Sequence, residues 1–589
     1  MIQEIARRVW THYHAHGSWS LLKGILRKLD KTSGFRYQRW IQNEESIRRI
    51  TEKVIQEMQI HPDKPKLAVF LDGTQTDIPR LKNALKSVLN QSLPPGSIQL
   101  CIPTEAVKSI KQMLESSAHD QVPLHILEIS SGANIVGAMN QHLSSMDADW
   151  ICILDSESIL HKDALAEASQ QILDNPQIRL LYADEDQIGL FNWRSQPWIK
   201  PDWDPLRFWG QNYLGSLFFL RTSGLAKLGR SSEQNQLNGF FDLLLRYSVE
   251  VICDESEALH LSLILSHRQK EFSTVKNLSN PLIEAEAKFL ENHLADQKIS
   301  AWIEPLSKKP RWRRIHLIPN SQPPVQVIIP TRDRLDLLRT CVDGILYQTD
   351  YAALQVLIVD NDSQEEETIS WIHEKTQKDS RVAVLKVPGP FNFPKINNLA
   401  VRSTSAEYIL LLNNDIKVLH PDWLNEMVGV LQLPNVGAVG ARLLYPNGLI
   451  QHAGVTLGVG LFEVAGHTGA NLSADSLASQ GQYQLLQQVE ACSAACLLVK
   501  RTAWEAVGGL NEQLAINFND VDFCLELKQA GWQVVWTSCA ELMHVESASR
   551  GHAEHQRETP EFFLREVAWM KEKWGTRLQS KKLADPLLQ

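Results

Sequence analysis

A chain of 589 residues exceeds what one hydrophobic core supports, since domains run to roughly 100–200 residues, so it divides into two large units or three to four smaller ones. Hydrophobic residues at 43% and charged residues at 22% sit near the globular average, which excludes a disordered, collagen-like or disulfide-scaffold chain. With 59 Lys and Arg against 68 Asp and Glu the formal charge is −9, which argues against nucleic acid as a partner, because phosphate contacts require a basic surface.

The eight cysteines include no CxxC pair and no Cys/His zinc spacing; Cys492 and Cys496 come nearest, in a small apolar stretch. Reduced core thiols, and hence a cytoplasmic location, are expected. No run approaches the roughly 18 apolar residues of a membrane-spanning helix, and the first residues lack the apolar core of a signal peptide.

Residues 1–60 are expected to form a basic, amphipathic helical extension. Ile2, Ile5, Ala6, Val9 and Trp10 repeat at helical spacing, as do Leu21, Leu22, Ile25, Leu26 and Leu29, amid Arg7, Arg8, Lys23, Arg27 and Lys28. Such helices pack on the following domain or make peripheral contact with the inner face of the cytoplasmic membrane.

Over 61–305 apolar runs at 67–71, 98–102, 124–129 and 150–154 alternate with helical patterns opening near Arg80 and Val107, the rhythm of a parallel sheet covered by helices. A basic, Pro-containing stretch over 306–324 reads as a linker. The rhythm restarts over 325–575, with strands expected at 325–329, 355–359, 382–385 and 408–412. NALKSVLNQ (83–91) and TCVDGILYQ (340–348) hold the same place after the first strand, and DWICILD (149–155) and EYILLLN (407–413) the same place at the fourth. The fold expected is α/β: two tandem Rossmann-like domains behind a short helical extension.

Ligands of open parallel sheets bind at the carboxyl ends of the strands. In the second half those ends carry Thr331, Arg332 and Asp333; Asp360, Asn361 and Asp362; and Asn413, Asn414 and Asp415. Each cluster alone is ordinary turn chemistry; their joint placement is what points to a site. A single carboxylate preceded by two amides suits Mg2+ or Mn2+ and not zinc. Asp520 and Asp522 open a further helical pattern, where acids also serve as caps, and His544 follows another strand end, where it can complete a metal shell.

With these residues in place, the second half resembles the family 2 glycosyltransferases, in the bacterial rhamnosyltransferase-like and O-antigen polysaccharide branch. The resemblance is carried by Val327–Arg332, Val359–Asn361, Phe391–Phe393, Leu412–Asp415, Gln451–Gly454, Gly508–Leu510, Asn519–Asp522 and His544–Gly551. It implies a GT-A fold, a nucleotide-sugar donor and a glycan or lipid-linked glycan acceptor. It implies Asp520 as catalytic base and Asp415 with His544 as the metal holders, Asn413 standing where that family more often has Asp. Thr331, Arg332, Asp333, Asp360, Asn398, Asn413, Asn414 and Asp522 are the expected donor contacts. Metal-dependent inverting transfer follows.

The first half resembles the same family at Tyr182–Asp186, Lys200–Trp203 and Gln211–Tyr213, yet reads as disarmed. Asp155-Ser156-Glu157-Ser158 stands at the metal position, and Phe240 stands where the base should be. Trp193, Trp198, Trp203 and Trp209 are candidates for stacking on sugar rings, or core aromatics. Alternatives are a transferase with both domains active, a sugar nucleotidyltransferase, whose Gly-rich first loop Pro330–Asp333 lacks, and a non-catalytic carbohydrate-binding assembly protein.

Overall fold

The computed structural model describes residues 33–45, 49–74, 78–115, 122–129, 135–143, 146–189, 192–228, 239–269, 280–545 and 561–579. The basic repeats within 1–32 and the 546–551 part of the family resemblance lie outside the described residues. The described chain forms two compact units, one from residues up to Trp203 with Asn212–Leu282, the other from Asp204–Gln211 with the residues from Ile283 onward. Among the described residues no helix is long and apolar enough to cross a membrane.

The first unit holds strands β1 (Leu67–Asp72), β2 (Ser97–Pro103), β3 (Leu124–Ile129), β4 (Trp150–Asp155), β5 (Ser158–Leu160), β6 (Leu180–Ile188), β7 (Arg194–Trp198), β8 (Leu217–Arg221) and β9 (Ala258–Gln269). They order as β3-β2-β1-β4-β8-β6-β9-β5, with β7 on β6. The apolar runs of β1 and β4 are buried, as parallel strands covered on both faces require.

The second unit holds β10 (Ala301–Leu306), β11 (Lys309–Leu317), β12 (Val325–Thr331), β13 (Leu354–Asp360), β14 (Val382–Lys386), β15 (Tyr408–Leu412), β16 (Ile416–Val418), β17 (Val436–Leu444), β18 (Ile450–His452), β19 (Val455–Leu457), β20 (Ala465–His467), β21 (Gln487–Gln488), β22 (Cys496–Lys500) and β23 (Gln533–His544). Its main sheet runs β14-β13-β12-β15-β22-β17-β23-β16. Strand for strand this is the order of the first unit. The directions agree as well: β4 with β8 and β15 with β22 are antiparallel, whereas β6 with β9 and β17 with β23 are parallel. The expected duplication is therefore a duplication of topology.

The stretch expected as a linker is largely strand. β10 and β11 form an antiparallel hairpin, Ala301 opposite Leu317, and only 318–324 is irregular. Basic composition concealed a period-2 burial pattern: Arg313, Ile315 and Leu317 all turn inward. Arg313 can be buried because its guanidinium pairs with Glu286, which also accepts from Arg311 Nη2 at 2.5 Å. Helix Trp423–Leu431 approaches this hairpin so closely that a Cβ on Gly429 would collide with the Leu317 carbonyl. The boundary between units thus falls near Leu282, ahead of the hairpin.

Candidate active site

The carboxyl ends of β12, β13 and β15 carry the expected polar clusters, and the chain folds them onto one another. Thr331 pairs with Asp360 in the β12–β13 register, and Asn414 Nδ2 donates to Thr331 Oγ1 at 3.0 Å. Asp360 Oδ1 accepts from Ser363 N at 3.0 Å. Asp333 sits at φ 55° and its Oδ1 accepts from Gln364 N and Glu365 N at 2.7 and 2.8 Å, tying the loop after β12 to the loop after β13. Asn361 Nδ2 donates to the carbonyls of Val387 and Gly389, while Arg332 points to solvent.

Asp415 and His544 meet because Ile416 of β16 pairs with His544 of β23, and Val545 N donates to the Asp415 carbonyl at 3.1 Å. Both side chains are 8% exposed as residues. His544 Nε2 lies 3.0 Å from Asp415 Oδ1, yet that oxygen has no aligned hydrogen-bond donor. His544 Nδ1 is 2.8 Å from Gln451 Oε1, and Asn413 Nδ2 is 3.3 Å from Nε2. Those contacts assign the ring proton to Nδ1 and leave the Nε2 lone pair facing a carboxylate oxygen. Two electron-rich atoms in buried contact, one an orphaned acceptor, are what a cation between them would satisfy, and Gln451 holds the ring as a metal-bound histidine is usually held. Asp415 and His544 therefore fit a divalent ion.

Asp520 occupies the first turn of helix Asn519–Gln529, half-buried. Its Oδ2 accepts from Ala494 N at 3.0 Å and its Oδ1 from Val521 N at 2.9 Å. The neighbouring Ala495 carbonyl accepts from Asn413 N at 3.0 Å, so the Ala494–Ala495 segment carries Asp520 on one side and the Asn413–Asp415 turn on the other.

Two expected donor contacts are spent elsewhere. Asn398 Nδ2 donates to the Leu510 carbonyl at 2.9 Å and its Oδ1 accepts from Leu510 N at 3.0 Å, bracing the Gly508–Leu510 turn. Asp522 is 2% exposed, with Oδ1 accepting from Lys573 Nζ and Trp574 Nε1, both at 2.8 Å. That carboxylate anchors helix Glu561–Gln579. Residues assigned no role from sequence are Gln451, His452 and His467. His452 Nδ1 lies 2.9 Å from His467 Nδ1, and burial, with His467 and His544 nearby, pushes the His452 imidazolium well below its usual range, so that ring is neutral. The Gln451–Gly454 motif was the signal available for Gln451 and His452.

The same topology in the first unit holds different chemistry. Ser158 pairs with Arg268 as Ile416 pairs with His544, and Gln269 N donates to the Glu157 carbonyl at 2.9 Å as Val545 N does to Asp415. Glu157 thus replaces Asp415, and a guanidinium replaces His544. Glu157 Oε1 also lies 3.4 Å from Arg80 Nη1. Phe240, second residue of its helix as Asp520 is of helix Asn519–Gln529, packs edge-on against Phe70 and Phe218 with centroids 6.1 and 5.9 Å apart. The acidic run of β6 is engaged internally: Asp184 with His260 at 2.8 Å, Glu185 with Ser216 Oγ at 2.9 Å, and Asp186 with Tyr37 Oη at 2.6 Å. Of the expected stacking tryptophans, Trp203 and Trp209 are buried, and Trp193 is 42% exposed.

Comparison with known proteins bears on the second unit most directly. Residues 323–560 match the family described as Glycosyltransferase like family 2. Over 534 residues the chain is 35% identical to the uncharacterized protein y4gI of Sinorhizobium fredii, covering 89% of this chain and 57% of that protein. It is 33% identical over 474 residues to the O-antigen biosynthesis protein RfbC of Myxococcus xanthus, covering 80% of this chain and 36% of that protein. The chain thus spans about half or less of the length of these relatives. A solved mannosyltransferase of Pyrobaculum calidifontis, in complex with GDP-Man and Mn2+, aligns over 46% of this chain and 79% of its own at 16% identity, with a TM-score of 0.30. Over residues 323–560 the chain thus carries an α/β domain that matches the family described as Glycosyltransferase like family 2.

Proposed function

We propose that the second unit moves a sugar from a nucleotide-sugar to a hydroxyl of a glycan or lipid-linked glycan in surface polysaccharide assembly, with inversion at the anomeric carbon. The observation that carries this reading is the pairing of Asp415 with His544 beside Asp520, joined through the Ala494–Ala495 segment. Thr331, Asp360 and Asn414 line the strand ends where a nucleoside would lie. Asp415 and His544 would hold a divalent ion, Mg2+ or Mn2+, which when bound supplies positive charge to the diphosphate leaving group. Asp520 accepts the proton of the attacking hydroxyl, held in place by the Ala494 and Val521 amides. Attack opposite the departing diphosphate inverts the configuration.

The first unit, with Glu157, Arg268 and Phe240 in the corresponding places, serves as a non-transferring partner domain in this reading. Names among the relatives support an O-antigen or rhamnosyl context, the latter through a Mycobacterium tuberculosis N-acetylglucosaminyl-diphospho-decaprenol L-rhamnosyltransferase, 41% identical over 59 residues, 10% of this chain and 19% of that protein. The test is release of nucleoside diphosphate from a panel of nucleotide-sugars by the full chain, with and without Mn2+, in the presence of lipid-linked acceptors. Turnover that persists unchanged in both Asp415→Asn and Asp520→Asn would sink the reading.

A further inference from the structure

A second cluster of ligating side chains lies in the second unit, outside the site just described. His316 comes from β11, Glu426 from helix Trp423–Leu431 and Cys539 from β23, and one ligand atom from each lies within 4.8 Å of the other two. His316 Nδ1 is 2.7 Å from Glu426 Oε1. The opposite nitrogen, Nε2, is 3.9 Å from Cys539 Sγ and 3.5 Å from Glu304 Oε2.

Two features mark the cluster as more than a packed histidine. Glu426 is 7% exposed, and its Oε2 has no hydrogen-bond partner, a costly state for a buried carboxylate. Trp302 lies flat against the imidazole, ring centroids 3.7 Å apart and planes 4° from parallel, so the ring plane is fixed. Arg314 Nη1 reaches the same Glu304 oxygen at 3.1 Å and keeps one carboxylate from standing uncompensated at the rim.

Tetrahedral zinc with N, S and O ligands at about 2.0–2.3 Å places neighbouring ligand atoms about 3.3–3.8 Å apart. From His316 Nε2 the 3.5 Å to Glu304 Oε2 lies within that spacing, and the 3.9 Å to Cys539 Sγ lies just beyond it, so a bound ion would draw the thiolate slightly inward. A carboxylate behind Nδ1 is the usual second partner of a metal-bound imidazole, setting the tautomer so that Nε2 carries the lone pair. Thiolate and imidazole select zinc over the hard ions that suit Asp415.

We propose that His316 Nε2, Cys539 Sγ and Glu304 form a binding site for a zinc-class divalent ion, oriented by Glu426 and distinct from Asp415 and His544. Binding forms one metal–sulfur and one metal–nitrogen bond and releases two protons to solvent, that of the thiol and that of Nε2, which, against the pull of burial, Cys539 and Glu426 hold on the metal-free imidazolium. The ion would clip the β10–β11 hairpin to β23. Glu426 is a positioning residue, and Glu426→Gln should weaken metal binding about 10–100-fold.

The experiment titrates the metal-free full chain with Co2+ and follows the thiolate-to-cobalt charge-transfer band, which Asp415 and His544 as ligands cannot produce. The band should appear, vanish on addition of one equivalent of Zn2+, and be absent from Cys539→Ser and weakened in His316→Gln. No band at saturating Co2+, or a band surviving in Cys539→Ser, overturns the proposal. Should a variant fail to fold, alkylation of the wild-type chain decides: Zn2+ should protect Cys539, and equal labelling with and without Zn2+ overturns the site.

Discussion

Asp415 Oδ1 and His544 Nε2 stand 3.0 Å apart across the β16–β23 ladder, each with its lone pairs toward the other. The contact depends on Gln451, whose carbonyl at 2.8 Å from Nδ1 determines which ring nitrogen is bare. Gln451→Ala should therefore raise the Mn2+ concentration needed for half-maximal turnover about 10–100-fold, and Asp415→Asn should raise it at least as far. Metal titration of turnover measures both, and an unchanged Mn2+ requirement in Gln451→Ala would show that the ring is held by other means.

Asp520 has two backbone donors and, among the described residues, no ion-pair partner, so its charge is available to a hydroxyl proton. Asp520→Asn should lower turnover by about 10²–10⁴ while leaving donor affinity unchanged, since the amide keeps the shape and loses the proton acceptor. Calorimetry on the donor beside a rate assay separates the two quantities. A loss confined to donor affinity would remove Asp520 from the base role.

Asp522 offers the opposite expectation. Its bonds to Lys573 and Trp574, both 2.8 Å, hold helix Glu561–Gln579 against helix Asn519–Gln529. Asp522→Asn should cost about 1–3 kcal/mol of stability in urea unfolding, with donor affinity retained. Weakened donor binding at unchanged stability would return this carboxylate to the donor contacts.

In the first unit His260 lies between Asp184 and Asp202, at 2.8 and 3.4 Å. Burial pulls the imidazolium down, but the hydrogen bonds and charges of the two carboxylates outweigh it and carry His260 up to about 9. An unfolded histidine titrates near 6.5, so this contribution is complete below about pH 6.5 and is lost as pH rises toward 9. His260→Gln should lower the unfolding midpoint most at pH 6 and little at pH 9.5. A mutational penalty that does not shrink across that window would contradict the assignment.

Gly509 sits at φ 86°, and a Cβ there would come within 2.7 Å of Asn398 Oδ1 and 3.0 Å of Trp504 Nε1. Gly509→Ala should destabilise by about 1–3 kcal/mol, from the left-handed backbone and the disturbed Asn398 brace together. Thermal unfolding reads it, and a neutral result would mean that the Asn398 amide can turn away without loss.

The parallel strands were legible because uninterrupted apolar runs such as LAVFLD and YILLL suit only positions covered on both faces. The strand-end clusters were legible for the related reason that polar residues directly after such runs have one edge of the sheet to occupy. The 306–324 stretch was misread because Arg311, Arg313 and Arg314 look like solvent-facing residues until Glu286 and Glu304 are seen to pair with them. Asn398 and Asp522 belong to the right segments, but which way a side chain points depends on partners more than fifty residues away.

Composition, apolar periodicity and residue order determined two α/β units and the acids at the strand ends, since those signals are local and survive without the fold. Only the tertiary structure decided that Asp415 meets His544 and Glu157 meets Arg268 through strand pairing, and that His316, Glu426 and Cys539 gather from two strands and a helix. Such encounters depend on register and packing between distant elements, which no spacing along the chain encodes, because a slip of one residue would turn the strand side chains among them to the opposite face.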